Sequence, residues 1–492
     1  MLKPPTQESL PAELKRVSSA QFKAFQQGLP SSIKDSGFWT KTIHIRRLGR
    51  IRIWPLVVML SSLLTFFSIS YITDTYNPFT SNLAIERPLN QTVDAPFLEG
   101  CQDPTKAAAE HPRENAAFVV LARNKEIGGV LSSMSYLESH FNQWFNYPYV
   151  FLNNEEFDSN FKRKVRNATD AEVEFGVVGA DAWGFPEWVE DLDELKESIA
   201  QQGDRAIMYG GLETYHHMCR FFSGFFFNHP LLLKYDWYWR VEPDVKFFCD
   251  ITYDPFRFMA EQGKVYGFVI AIKELVETVP NMFRYASAWK RKKNLHSTGM
   301  WDMLLKPKEE MKADSATTAK LPKEILQHDP IKADDKSHQI SPDSMEGEAY
   351  NMCHFWSNFE IARLDFFRSP EYMDFFEEMD LTGGFWRERW GDAPIHSLGA
   401  GLLLEPEQVH YFRDIGYQHT DIFHCPANAP GKQLKRPANA DGSRNDKGWD
   451  RPKKNGPGCR CECPTDLPEV ESKEGTCINE WADVIGGWLD TR

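Results

Sequence analysis

Residues 53–72, IWPLVVMLSSLLTFFSISYI, form a run of twenty residues without a charged side chain. A helix of about 20 apolar residues is long enough to cross a bilayer. Five basic residues lie in the twelve positions before this run, whereas the first basic residue after it is Arg87. Because basic flanks stay in the cytosol, the pattern predicts one membrane anchor, with everything after about residue 73 outside the cytosol.

Two other interpretations of the run are a cleaved signal peptide and a buried core helix. A signal peptide is shorter and begins nearer to Met1, and a core helix does not explain the charge asymmetry of the flanks. The moderate length of the run fits a thin membrane of the early secretory pathway better than the plasma membrane.

The cysteines and glycosylation sequons agree with a non-cytosolic location. All nine cysteines follow residue 100, and an oxidising compartment permits disulfides between them. Since nine is odd, at least one thiol is free or pairs with another chain. Asn90-Gln-Thr and Asn167-Ala-Thr are sequons that a luminal chain can use. The net charge of -14 argues against a nucleic-acid partner, because phosphate binding needs a basic surface.

Composition divides the chain into five segments. We predict a cytosolic tail (1–52), the anchor (53–72), a luminal stem (73–112), a catalytic domain (113–430) and a cysteine-containing C-terminal tail (431–492). Inside the catalytic domain, residues 304–346 are charged and contain few large apolar side chains, which predicts a disordered insertion.

Short apolar runs alternate with helical patterns through the catalytic domain. Strands are predicted at 116–123, 147–154, 172–179, 235–241 and 263–272, and helices at 131–141 and 205–227. The alternation predicts an α/β fold with a largely parallel sheet. In 235–241, aromatic and polar residues alternate, which predicts a half-buried strand.

Two acids follow the strand at 235–241. Glu242 and Asp244 flank Pro243, which cannot continue a central strand, so the chain turns there. Ligands of α/β folds bind at the carboxyl ends of strands. Paired carboxylates on a turn suit a hard cation such as Mg²⁺ or Mn²⁺, which commonly bridges to substrate phosphates. The alternative is a pair of ordinary surface acids.

Three later segments place polar residues among aromatic ones. They are CHFWSNFEI (353–361), WRERWGDAPIHS (386–397) and GYQHTDIFHCP (416–426). Burying polar groups without partners is costly, so these residues need either structural or functional partners. From composition alone, a hydrogen-bonded core role is more common for such a histidine than a functional one.

Longer motifs resemble a known family. The segments EPDVKFFCD, YNMCHFWSNFEIA, ERWGDAPIHSLGAGLLL and GYQHTDIFHCP are similar to the fungal Golgi α-1,2-mannosyltransferases, glycosyltransferase family fifteen, over about residues 112–428. The resemblance implies a type II Golgi membrane protein with one luminal catalytic domain. It also implies a GT-A-like nucleotide-sugar-binding fold with a mixed, largely parallel sheet, GDP-mannose as donor, Mn²⁺ as cofactor and a mannose-terminated glycan on glycoproteins as acceptor.

The resemblance also assigns roles to residues. It implies that Glu242 and His419 bind the metal, with Asp244 in its surroundings, and that Arg123 contacts the nucleotide. Tyr215 is implied to lie in the active site, Glu360 to be the nucleophile or to stabilise the cationic sugar, and Asp392 to act near the acceptor. Retention of configuration follows from an α-linked donor and product, by a covalent or a front-face route.

Two other functions stay open at the sequence level. A mannosylphosphate transferase of the same family uses the same donor, and an inactive luminal glycan-binding protein keeps the fold without turnover. The cysteine cluster CRCEC together with Cys477 is expected to form disulfides, with a zinc site as the alternative.

Overall fold

The computed structural model describes residues 42–45, 49–52, 93–94, 100–307, 347–431, 433, 456–464 and 469–486. The chain divides into two compact units, residues 1–80 and 81–492. In the first unit, the described residues are an antiparallel pair of strands, β1 (Thr42–Ile45) and β2 (Gly49–Arg52), inside the segment predicted as a cytosolic tail.

Several predicted features lie outside the described residues. They are the anchor 53–72, the sequon residue Asn90 and positions 308–346 of the predicted insertion. Among the residues that are described, no helix combines the length and the apolar character of a membrane span. The first residues of the predicted insertion are described and belong to the core, since Leu304 is buried.

The described part of the second unit alternates strands and helices. Its strands are β3 (Ala116–Leu121), β4 (Tyr149–Asn153), β5 (Val173–Val177), β6 (Trp237–Arg240), β7 (Lys246–Phe247), β8 (Tyr266–Phe268), β9 (Ala271–Lys273), β10 (Cys353–Phe355), β11 (Glu360–Arg363), β12 (Val409–Tyr411), β13 (Tyr417–His419) and β14 (Ile422–His424). Its α-helices are α1 (Pro104–Glu110), α2 (Ile127–Leu137), α3 (Gln143–Phe145), α4 (Ser159–Arg166), α5 (Leu192–Asp204), α6 (Glu213–Gly224), α7 (Pro255–Glu261), α8 (Met282–Lys292), α9 (Gly299–Asp302), α10 (Leu364–Phe367), α11 (Pro370–Leu381), α12 (Gly384–Arg387), α13 (Asp392–Leu403) and α14 (Ile478–Val484).

The central sheet has seven strands in the order β12-β8-β11-β6-β3-β4-β5. Neighbouring strands are parallel except β11, which is antiparallel to both β8 and β6. The predicted mixed, largely parallel sheet is therefore confirmed. The carboxyl ends of β3, β4 and β6 share one edge, and the antiparallel β11 begins at that same edge.

The prediction of a half-buried strand at 235–241 is wrong, because all four residues of β6 are buried. Trp237 and Trp239 belong to the hydrophobic cluster on one face of the sheet, and Tyr238 belongs to the cluster on the other. Strands of a parallel sheet are covered on both faces by helices, so the alternation reflects two different buried environments. Arg240 consequently lies in the interior, 4% exposed.

The predicted helix at 205–227 begins too early, because residues 205–212 form a loop that separates α5 from α6. Helix α5 ends at Asp204 and α6 begins at Glu213. In the loop, Ala206 and Tyr209 have positive φ angles of 56° and 61°, which a helix does not accommodate. Apolar residues of the loop, such as Ile207 and Leu212, extend the apolar pattern of α6 toward its N-terminus and conceal the loop.

The predicted boundaries at residues 112 and 430 do not separate structural units, since residues 81–492 form one compact unit. On the stem side, Asp94 pairs with Arg413 at 2.9 Å, and both are buried. On the tail side, Trp481 is 2% exposed and its ring lies 5.6 Å from that of Tyr411. The described parts of both predicted extensions therefore complete the core of the domain.

Four disulfides fasten these extensions, as predicted for the cysteine cluster. The pairs are Cys101–Cys459, Cys249–Cys461, Cys353–Cys477 and Cys425–Cys463. Cys219 is the unpaired thiol among the nine and is buried. In the described residues, every sulfur of the groups close enough to suggest a metal site belongs to one of these disulfides, and Glu480 is the one other member, which argues against zinc.

Candidate active site

The turn after β6 is fixed by helix α2. The backbone N–H of Asp244 donates to the carbonyl of Gly129, and the Ser133 hydroxyl donates to the carbonyl of Glu242 at 2.7 Å. Asp244 has a left-handed φ of 63°. A Cβ on Gly129 would lie 2.5 Å from Oδ2 of Asp244, so glycine is needed for this approach. The sequence prediction of a turn at Pro243 is confirmed, with Asp244 exposed.

Arg240 connects the acidic residues at this edge. Its Nε and Nη2 donate to Oε1 of Glu242 at 2.9 and 2.6 Å, and its Nη1 donates to Oδ2 of Asp392. The guanidinium lies 3.6 Å above the ring centroid of Phe222. A planar, always-charged fork suits this bridging position. Two predicted site residues from distant segments are thus held on one cation.

Asp392 is the first residue of α13, where the helix dipole favours a negative charge. Its Oδ2 accepts from the Ser357 hydroxyl at 2.6 Å. Burial opposes ionisation, but Arg240, His396 and Ser357 together lower the pKa of Asp392 below its ordinary value. Oδ1 receives no side-chain hydrogen bond from the described residues, which leaves one oxygen of an ionised carboxylate available.

Glu360 begins β11 opposite Arg240 and is fully buried. Three donors enclose its carboxylate: the hydroxyls of Tyr238 and Tyr266, and Nδ1 of His396 at 2.9 Å. Both oxygens are therefore engaged. Of the two roles implied by the resemblance, this enclosure favours a charge held beneath the site over a nucleophile that contacts the sugar directly.

His419 ends β13, which pairs with β7 immediately after the acidic turn. Burial lowers the pKa of His419, with Glu242 and Asp244 close enough to act against that shift. The imidazole is therefore neutral near pH 7, the form that binds metals. Its Nδ1 lies 2.8 Å from the side-chain amide of Asn358, which orients the ring.

The residues at this edge fit a divalent cation. Both hydrogen bonds from Arg240 go to Oε1 of Glu242, so Oε2 has no donor among the described residues. A carboxylate oxygen and a neutral imidazole are suitable ligands of such a cation, which commonly also binds phosphate oxygens of a substrate. The assignment of Glu242 and His419 to one metal ion stays a prediction.

Tyr215 lies in the first turn of α6, partly buried, with the guanidinium of Arg389 5.5 Å from its ring centroid. Burial raises the pKa of its hydroxyl well above the ordinary value, with Cys219 and Asp392 adding to the shift and Arg389 opposing it. The hydroxyl is therefore protonated and within electrostatic reach of Asp392.

Arg123 follows β3, the strand beside β6, and is separate from the cluster around Arg240. Its Nε donates to Glu126 at 3.0 Å, and the side chain is 49% exposed. Its role toward a nucleotide stays a prediction.

Asn167 is exposed at the end of α4, as a glycosylated residue must be, while Thr169 of its sequon donates to Glu138.

The sequence-based prediction missed Arg240, His396 and Arg389. Arg240 is one of the alternating residues of the strand predicted to be half-buried, and it stands two residues before Glu242. His396 and Arg389 stand inside the quoted segment 386–397 but carried no predicted role. A charged residue that directly follows an aromatic run and stands just before two acids is the signal that identifies Arg240 as an internal counter-ion.

Fold and site together define a glycosyltransferase that uses a sugar nucleotide on a GT-A-like fold. The chain belongs to the family described as glycolipid 2-alpha-mannosyltransferase, whose model matches residues 79–447. It is 52% identical over 406 residues to O-glycoside alpha-1,2-mannosyltransferase homolog 4 of Schizosaccharomyces pombe, covering 82% of this chain and 85% of that protein.

Two solved structures have the same fold. Core-mannan synthase A (CmsA/Ktr4) from Aspergillus fumigatus, a Mn/GDP form, is 32% identical with a TM-score of 0.60, covering 82% of this chain and 94% of that one. The mannosyltransferase Ktr4p from Saccharomyces cerevisiae, in complex with GDP, is 30% identical with a TM-score of 0.59, covering 84% and 90%.

Proposed function

We propose that this protein is a Mn²⁺-dependent, retaining α-1,2-mannosyltransferase. It moves mannose from GDP-mannose to a mannose-terminated glycan, O-linked or N-linked, on glycoproteins. The observation that carries the proposal is the cluster in which Arg240 holds Glu242 and Asp392 beside His419, at the carboxyl edge of the sheet. Relatives at 40–52% identity bear mannosyltransferase names, and one structural neighbour is a Mn/GDP form.

The residues divide the work between donor and acceptor. Glu242 and His419 would hold the Mn²⁺, which when bound supplies positive charge opposite the diphosphate of the leaving GDP. Arg240 orients Glu242 by its two hydrogen bonds, and Arg123 would contact the nucleotide.

On the acceptor side, Oδ1 of Asp392 accepts a hydrogen bond from the attacking hydroxyl. Tyr215, protonated and nearby, donates to an oxygen of donor or acceptor. Glu360 lies under the sheet edge as a buried negative charge, which favours positive charge developing on the transferred sugar.

The test is a product assay. The purified domain is incubated with GDP-mannose, Mn²⁺ and α-methyl mannoside, and the product is analysed by NMR. An α-1,2-linked disaccharide supports the proposal. A phosphodiester product identifies a mannosylphosphate transferase instead, and sugar binding without turnover identifies a glycan-binding protein. Chelation of the metal must abolish transfer, and Mn²⁺ must restore it.

We further propose that the protein is a single-pass type II protein of the Golgi membrane, contributing to cell-wall mannan. The uncharged run 53–72 with its basic N-terminal flank supports the anchor, and four disulfides support an oxidising lumen. Protease protection of a C-terminal tag in sealed vesicles tests the topology. Loss of glycosidase-sensitive mass after Asn90→Gln and Asn167→Gln tests luminal exposure.

A further inference from the structure

Exposed apolar side chains concentrate beside the site. Nine large hydrophobic side chains are exposed among the described residues. Five of them occupy two short segments, namely Met208, Tyr209, Leu212, Leu275 and Val276. Concentrated apolar exposure on a soluble domain commonly marks a binding surface.

The two segments face each other. A cavity of about 210 Å³ is lined by 205–207 on one side and by Glu277 and Pro280 on the other, with Arg387 and Glu388 completing its wall. In this lining, Ile207 directly precedes Met208 and Glu277 directly follows Val276. An apolar rim therefore adjoins a cavity whose lining combines charged and apolar side chains.

The rim is continuous with the active site. The ring of Tyr209 stacks on that of Tyr215, with centroids 4.8 Å apart and planes at 27°. Arg389 lies over the ring of Tyr215 and donates to Glu274 at 3.3 Å. Because Glu274 directly precedes Leu275, these two contacts connect the second exposed segment to Tyr215.

The loop presents Tyr209 in a fixed position. Tyr209 is 51% exposed and has a left-handed φ of 61°, which is unfavourable for a tyrosine without a compensating contact. The next residue is anchored, since Nε2 of buried His216 lies 2.8 Å from the carbonyl of Gly210. One ring face contacts Tyr215, so the opposite face is open to a ligand.

We propose that this surface, the Tyr209 platform (Met208, Tyr209, Leu212, Leu275 and Val276), binds the second sugar of the acceptor glycan. An aromatic ring matches the apolar C–H face of a pyranose, and the charged side chains in the cavity beside it suit hydroxyl groups. A sugar is favoured over a protein partner because the surface continues directly from Tyr215 of the transfer site. The proposal rests on the proposed function, since it assumes a mannose-terminated acceptor.

The experiment compares two acceptors. Initial rates are measured with α-methyl mannoside and with methyl α-1,2-mannobioside, and their kcat/KM values are expressed as a ratio. Tyr209→Ala is expected to lower the ratio about fivefold to tenfold, the range of one aromatic contact. Tyr209→Phe is expected to keep it. Leu275→Ser, which leaves the Tyr209–Tyr215 stack intact, is expected to lower it as well.

Leu381→Ala is the matched control, because Leu381 is 59% exposed at the end of α11, outside the platform. An unchanged ratio in both Tyr209→Ala and Leu275→Ser overturns the proposal. An unchanged ratio accompanied by a shift in size-exclusion elution overturns it in favour of self-association.

Binding separates this proposal from the proposed function. Saturation-transfer NMR with methyl α-1,2-mannobioside reports contact without turnover. If the wild-type chain transfers no mannose, the proposed function fails. In that case, saturation transfer to the second sugar that is lost in Tyr209→Ala still supports the platform, and its persistence there overturns the platform.

Discussion

Nδ1 of His396 lies 2.9 Å from Oε2 of Glu360, and neither side chain is exposed. The other ring nitrogen, Nε2, lies 2.9 Å from the carbonyl of Phe222. A carbonyl only accepts, so Nε2 carries a proton, and the carboxylate favours a second proton on Nδ1. Burial opposes this charge, but the Glu360 carboxylate raises the pKa of His396 above its ordinary value. The domain therefore contains a buried ion pair beneath its candidate site.

Replacing one partner of this ion pair is expected to lower the free energy of unfolding more than replacing both partners. His396→Gln leaves the Glu360 carboxylate buried without its counter-charge, at about 3–5 kcal/mol of unfolding free energy. Adding Glu360→Gln to that variant removes the uncompensated charge, so the double variant is expected to be more stable than His396→Gln alone. Urea denaturation of wild type, both single variants and the double variant measures the coupling. Strictly additive costs would contradict the ion pair.

A second buried pair gives stability a defined pH dependence. Nδ1 of His424 lies 2.8 Å from Oε1 of Glu469, which belongs to the C-terminal extension. Burial opposes the charge, but Glu469 raises the pKa of His424 to about 9. A group with a raised folded-state pKa stabilises fully below its unfolded pKa of about 6.5, and this effect is lost as pH rises through about 9.

The stability advantage of wild type over His424→Gln is therefore expected to be largest at pH 6 and to shrink toward pH 9.5. The change is on the order of 3 kcal/mol, from about 1.4 kcal/mol per pKa unit. Denaturant unfolding at pH 6, 7.5 and 9.5 measures it. His296→Gln, at an exposed position, is the control. A difference that is independent of pH would show that His424 is neutral in the folded chain.

The sequence predicted what depends on local pattern. Alternation of strands and helices gave the α/β class, and Pro243 gave the turn that carries Glu242 and Asp244. What it missed depends on tertiary packing. The half-buried pattern of β6 could not reveal that helices cover both faces, and the interior position of Arg240 follows only from that cover.

The extent of the domain was likewise beyond local pattern. Residues after 430 are rich in Pro, Gly and polar residues, which predicts a tail. Glu469 and Trp481 nevertheless enter the core, because the Cys353–Cys477 disulfide and the His424–Glu469 pair join them to distant segments. Disulfide connectivity of this kind cannot be read from cysteine spacing.

Arg240 is expected to be irreplaceable by lysine. A lysine ammonium is a point charge, and it cannot reproduce three directed hydrogen bonds to Glu242 and Asp392. Arg240→Lys is expected to lower kcat/KM about 100-fold, the effect typical of losing a preorganised charge contact. Steady-state kinetics with GDP-mannose measures this. Arg363→Lys is the control, because Arg363 is 46% exposed and pairs with Asp365. Wild-type kcat/KM in Arg240→Lys would exclude the bridging role.

Glu242 and His419 are expected to determine metal-dependent nucleotide binding. Glu242→Gln replaces a charged oxygen ligand by a weaker neutral one, and His419→Gln removes the imidazole. Either change is expected to weaken GDP binding at least tenfold in the presence of Mn²⁺ and to leave the weak binding in EDTA unchanged. Isothermal titration calorimetry with and without Mn²⁺ separates the two conditions. Asp421→Asn, an exposed carboxylate two residues from His419, is the matched control and is expected to bind like wild type. If Glu242→Gln keeps the full Mn²⁺ enhancement of GDP binding, the acidic turn does not hold the metal, and the assignment of the site to donor binding is wrong.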